Sequence, residues 1–174
     1  MEQTREEIMA ALMLAPHHTC GFVAETFRAA HRIPRDGLPD GFSGDRPLGS
    51  ALYFMVTPDA HVVLHRIRCD QMYHHYRGDP IDVLLLYPDG TGEVRTLGAP
   101  IAPGAGPQLF IPGNTCHMSR SDGPLGYALL GTTAWPGVES PDAEMGDVDA
   151  LLAAYPGMRA GILAFTGRLA DGGA

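Results

Sequence analysis

The chain has 174 residues, of which 45% are hydrophobic and 18% charged, with 12 basic against 20 acidic side chains and a net charge of −8. That much apolar content excludes a disordered chain, and the length suits a single domain spanning residues 1–174. Every basic residue is arginine, and the acidic balance argues against nucleic acid or an anionic membrane surface as partner, since both require clustered positive charge. No apolar run approaches the ~20 residues of a membrane span. The acidic start, Met1 to Glu7, lacks the basic-then-apolar order of a secretory leader, so a cytoplasmic location is expected. Cys20, Cys69 and Cys116 are odd in number and widely spaced, which suits reduced thiols.

Thr4-Arg5-Glu6-Glu7 is a capping box, and Ile8, Ala11 and Leu12 follow at helical spacing, so a short helix is predicted from about Arg5 to Leu14, stopped by Pro16. Gly21 to Arg28 reads as a strand. Pro34 to Pro47 has no apolar period and reads as a long loop of the kind that often covers a site. Strand signals then recur: Ser50–Thr57, Val62–Arg68, Gln71–Arg77, Ile81–Tyr87, Glu93–Leu97, Gln108–Ile111, Cys116–Arg120 and Tyr127–Trp135, with turn residues between them. Ile81–Tyr87 is almost continuously apolar and should be buried on both faces. Asp149–Tyr155 and Arg159–Thr166 read as short C-terminal helices. Strands at this interval predict an all-β sandwich or barrel.

The chemistry concentrates in histidine. Of eight, four (His61, His65, His74 and His75) lie between positions 61 and 75, near one strand pair. Side chains alternate along a strand. If Gln71 points inward, so do Tyr73 and His75, while His74 points away; if His65 points inward, so does Ile67. Glu25, set in an apolar strand, is a candidate general base with a raised pKa, or else a solvent-facing alternation partner. Tyr53 and Tyr73 are candidates to donate a proton or orient a substrate, or else are core residues. Arg66, His74 and Gln108 are candidates for contacts to substrate.

Two stretches resemble the paired motifs of the cupin superfamily. His65, Ile67, Gln71 and Gly78 keep the spacing of the first; Gly106, Pro112, Asn114, His117 and Ser121 keep that of the second. A wider resemblance, to single-domain cupins of bacteria and yeast catalogued as a domain of unknown function, covers nearly the whole chain. It rests on Pro16-His17 through Ala24-Glu25-Thr26-Phe27-Arg28, on His65-Arg66 and Asp70 to Gly78, on Gln108 to Pro112, on Tyr127 to Gly131 with Pro136-Gly137, and on the Leu151 to Pro156 tail. Gln71 stands where that branch has glutamate, and Tyr73 where it has tryptophan.

The resemblance implies a jelly-roll β-barrel with a short N-terminal helix and short C-terminal helices, holding a small polar molecule. With alternation, it places His65, His75 and His117 in the barrel mouth beside Gln71, a ligand set for Zn²⁺, Fe²⁺, Ni²⁺ or Mn²⁺. The alternatives are a barrel lined by polar side chains without metal, or metal held by other residues such as His61 or His74. The expected function is a lyase, isomerase or epimerase that abstracts a proton next to a carbonyl with the metal as Lewis acid. A metal-free binding protein and a metal-dependent dioxygenase compete with it. Exposed sheet edges, together with the habit of the resembled branch, imply a homodimer with Gly21 to Arg28 near the contact.

Overall fold

The structure, a computed structural model, describes residues 3–98, 101–102 and 105–167. Helix α1 (Arg5–Ala11) is followed by strands β1 (Ala15–His17), β2 (Gly21–Arg28), β3 (Arg32–Ile33), β4 (Arg46–Pro47), β5 (Ser50–Val56), β6 (Val62–Ile67) and β7 (Asp70–Gly78). Then come β8 (Ile81–Leu86), β9 (Gly92–Leu97), β10 (Ala105–Gly106), β11 (Gln108–Ile111), β12 (Cys116–Arg120), β13 (Ala128–Trp135) and β14 (Ala143–Met145). Helices α2 (Val148–Ala154) and α3 (Arg159–Thr166) end the described chain.

The fold is the all-β jelly roll of the sequence reading, built as two facing six-stranded sheets rather than one continuously bonded cylinder. The first runs β1-β2-β5-β13-β7-β11 and the second β10-β9-β8-β12-β6-β14. Alternation does the sorting. Along β8, Val83 and Leu85 point between the sheets, while Leu84 and Leu86 point out beneath α2 and α3, so the strand is buried on both faces as its apolar run predicts. Phe54, Val62, Ile81, Leu97, Ile111 and Leu130 fill one end of the space between the sheets. The other end is left open as a cavity.

Local chemistry fixes the turns. The capping box forms as expected, Thr4 accepting from the Glu7 amide while the Glu7 carboxylate accepts from Thr4. Helix α1 stops three residues sooner than predicted, because Leu12 caps it and Met13 takes a left-handed φ of 54°. Asn114 holds a φ of 63°, a conformation that asparagine tolerates better than most residues. Gly78 has a φ of 93°, and a Cβ there would lie 2.3 Å from the Tyr127 carbonyl oxygen, so only glycine closes the β7–β8 turn. The stretch read as an unbroken loop contains β4, paired with β3, and a single 3₁₀ turn at Arg35–Gly37. Leu38 and Phe42 anchor it against Cys69 and Ala134.

Candidate functional site

At its open end the sandwich encloses a cavity of about 390 Å³, within the ~300–1,000 Å³ usual for small-molecule sites. Its floor comes from β6 and β7, with His117 of β12 packed directly behind it. His65 on β6 pairs directly with His117 on β12, with ring centroids 4.4 Å apart and planes inclined at 51°. Tyr73, on β7 of the facing sheet, reaches across to within 3.1 Å of His117 Nε2.

The protons on this floor follow from partners that can only accept. His117 Nδ1 lies 3.2 Å from the Thr115 carbonyl oxygen and His65 Nδ1 lies 2.7 Å from that of Val63. Each Nδ1 therefore carries the hydrogen, and in a neutral ring Nε2 is the acceptor. Tyr73 consequently donates its hydroxyl hydrogen to His117. Burial, followed by the neighbouring His65, drives the His117 pKa down to about 3. Burial also lowers His65 and pushes the Tyr73 phenol well above its ordinary value. At neutral pH the floor is an uncharged array. His65 Nε2 has no partner among the described residues, and neither has the buried amide of Gln71, which also lines the cavity.

Charge is confined to the mouth. Glu25 and Arg28 both line the cavity, and the guanidinium donates to both Glu25 oxygens and to the Val138 carbonyl. Arg28 also approaches Glu139 at 3.5 Å, and Arg32 approaches the same carboxylate at 3.2 Å. His17 and His18 stand at the rim, their rings 4.4 Å apart, with His17 held by the buried Thr19.

The structure brings His65, Gln71 and Tyr73 to the floor, His117 directly behind them and Glu25 to the mouth; the other candidates lie elsewhere. His75 follows Tyr73 by two strand positions, about 7 Å along the chain. It falls at the filled end, where Nε2 bonds the Asp79 carbonyl at 2.9 Å. His74 faces outward and bonds Thr133 Oγ1 and Gln108 Nε2, which removes both His74 and Gln108 from the cavity. Arg66 also faces out, where its guanidinium pairs with Glu144. Tyr53 packs on the outer face with α1 and meets Tyr76 edge-on at 5.8 Å. Glu25 is not a buried base: its side chain is 48% exposed and saturated by Arg28.

The expected metal fares accordingly. Ile67, at a ligand place of the first motif, lines the cavity with an apolar side chain. His117 Nε2 is engaged by Tyr73, and Gln71 offers only a weak amide. Among the described residues no group of three or more His, Cys, Asp or Glu side chains is placed to hold an ion. Two imidazoles, one of them occupied, do not fit a resident Zn²⁺, Fe²⁺, Ni²⁺ or Mn²⁺ ion, which requires three protein ligands or more.

Residues that the sequence reading left without a role are Arg28, Glu139, His17 and His18. Arg28 was hidden by a bulge. Positions 25 and 28 should face opposite sides of a strand, but the β2–β5 register slips between Glu25 and Phe27 and returns both to the cavity face.

Comparison with known proteins agrees with this architecture. The family model described as "Cupin superfamily (DUF985)" matches residues 6–146. A hypothetical protein from Leishmania major superposes with a TM-score of 0.81 at 26% identity, over 94% of this chain and 98% of that one. A protein from Shewanella oneidensis does so with a TM-score of 0.78, also at 26% identity and over 94% and 98% of the two chains. An oxalate decarboxylase of Lactobacillus farciminis, at 12% identity and a TM-score of 0.51 over 90% of this chain and 42% of that one, shares the fold alone. A search of curated proteins finds no match. With the motif spacing, the paired sheets and the family match in place, the chain belongs to the cupin superfamily, in the family designated DUF985.

Proposed function

We propose that this cupin is a small-molecule enzyme of lyase, isomerase or epimerase type, which moves a proton on the carbon next to a carbonyl with its own side chains. The observation that carries this reading is that His65 lines the cavity with its Nδ1 bonded to Val63 and its Nε2 unengaged, beside the Tyr73–His117 pair. His65 Nε2 takes the proton from carbon. The Gln71 amide N–H donates to the carbonyl oxygen as negative charge gathers there, which is where a preorganised donor lowers the barrier. Return of the proton to carbon gives an isomer or epimer; departure of a group on the next carbon gives the lyase outcome. Tyr73 is held in place by His117 and presents its oxygen to the bound molecule.

The test is deuterium incorporation from D₂O into a panel of carbonyl compounds with an α C–H bond, read by mass spectrometry. Exchange is expected in at least one compound that binds, falling about 10²–10⁴-fold in His65→Gln, the usual contribution of a positioned base. Binding without exchange in any compound would establish a binding protein instead, and undiminished exchange in His65→Gln would remove His65 as the base.

We further propose that the chain pairs with itself through the outer side of the first sheet, near β2. Phe27 on β2, and Tyr76 and Phe110 on β7 and β11 toward the opposite edge of that sheet, are each about half exposed.

A further inference from the structure

The direction of each hydrogen bond on the cavity floor restricts what can bind there, and this inference rests on the proton-transfer reading above. Tyr73 spends its hydrogen on His117, so its oxygen can only accept from a ligand. His65 spends its hydrogen on the Val63 carbonyl, so its Nε2 can only accept. Gln71 supplies both an N–H and an oxygen, and the buried, unpartnered Thr132 hydroxyl can turn either way. Among the described residues lining the cavity, the one guanidinium is Arg28, which sits at the mouth and is already bonded to Glu25 and Val138.

We propose that the substrate is an uncharged α-hydroxycarbonyl compound of the sugar kind, which gives a hydroxyl hydrogen to the Tyr73 oxygen, takes the Gln71 N–H on its carbonyl and turns the C–H bond between them toward His65 Nε2, and that the floor turns carboxylates away. A carboxylate on this floor would set its lone pairs against those of His65 and Tyr73. It would have the Gln71 amide and the unpartnered Thr132 hydroxyl to bond but no cation to pair with, and a buried, unpaired charge is costly. A hydroxyl beside a carbonyl meets the Tyr73 oxygen and the Gln71 amide with every hydrogen used, and leaves the His65 Nε2 lone pair to the α C–H. A dicarboxylate such as oxalate, the compound named by the decarboxylases that share this fold, is excluded by the same reasoning.

Saturation-transfer NMR on the wild-type protein at pH 7.5, with Kd values from titration, tests this directly. The probes are dihydroxyacetone, xylose and fructose against glycerate, xylonate and oxalate. The hydroxycarbonyl compounds are expected to bind about tenfold or more tightly than their carboxylate counterparts, as a site built around hydrogen bonds to hydroxyls discriminates strongly. In Tyr73→Phe, checked for folding by circular dichroism, the hydroxycarbonyl compounds should weaken several-fold while the carboxylates do not change. Equal or tighter binding of the carboxylates overturns the proposal, as does an absence of binding by all six; the wild-type comparison stands even if the variant fails to fold. Preferential binding of the hydroxycarbonyl compounds without deuterium exchange would overturn the enzymatic reading and leave this one intact. Exchange into a preferred carboxylate would do the reverse.

Discussion

His117 is an imidazole sealed from water whose folded pKa, about 3, lies below the ordinary value of 6.5. Between those two values the unfolded chain binds a proton that the folded chain refuses, so stability is full above pH 6.5 and is lost as pH falls toward 3. From pH 7 to pH 4 this one group is expected to cost on the order of 3 kcal/mol. Urea unfolding at the two pH values measures it. His117→Gln should be less stable at pH 7 but should lose less on acidification; an identical acid loss in both proteins would mean that His117 is not the group refusing the proton. Gln71 gives a second test. In Gln71→Glu a carboxylate is buried with no cation beside it, so the melting temperature should fall, by about 1–3 kcal/mol in stability, equally with and without added Zn²⁺. Recovery on adding zinc would contradict the donor count at the floor. Alternation along β7 and the cupin spacing make His65, Gln71, Tyr73 and His117 legible from sequence. They cannot show that His75, on the same face, lies too far along the strand, nor that a bulge swings Arg28 inward, because both depend on register with a neighbouring strand.

The segment from Val138 to Ala143 forms one wall of the cavity, and it is clamped from behind. Arg46 on β4 holds Asp142 through two 2.7 Å bonds, Nε to Oδ2 and Nη2 to Oδ1, and both side chains are almost wholly buried. Arg46 also bonds the carbonyls of Gly44 and Asp45, and Asp142 accepts from the Glu139 amide. The stretch from Pro34 to Pro47, read from sequence as a site cover, lines none of the cavity and is instead tied to the back of this wall. Removing one partner strands a buried charge, so Asp142→Asn is expected to lose about 3–5 kcal/mol in denaturant unfolding, whereas Arg46→Met combined with Asp142→Leu should recover much of that loss. A loss below about 1 kcal/mol in Asp142→Asn would show the pair to be solvated. The main strands are readable because proline and glycine punctuate them. The clamp is not readable, since its partners are far apart in sequence and nothing local marks either as buried.

Two sheets meeting over an apolar end and an open polar end explain why the same strands supply both core and site. No single described helix is long and apolar enough to cross a membrane; α2 and α3 instead lay apolar side chains on Leu84, Leu86 and Met118 of the second sheet. Light scattering at micromolar concentration is expected to report twice the 18.6 kDa chain mass, and Phe27→Glu with Phe110→Glu should shift it toward the monomer; a wild-type mass near 18.6 kDa would rule out the pairing. Both the base and the ligand selectivity of the cavity floor depend on which nitrogen of each imidazole carries the proton. Long-range ¹H–¹⁵N correlation spectra of uniformly ¹⁵N-labelled protein at pH 7 read this without a substrate. His65 and His117 are both expected as neutral rings protonated on Nδ1 with bare Nε2 atoms, and a cationic ring or an Nε2–H form at either position would contradict the account.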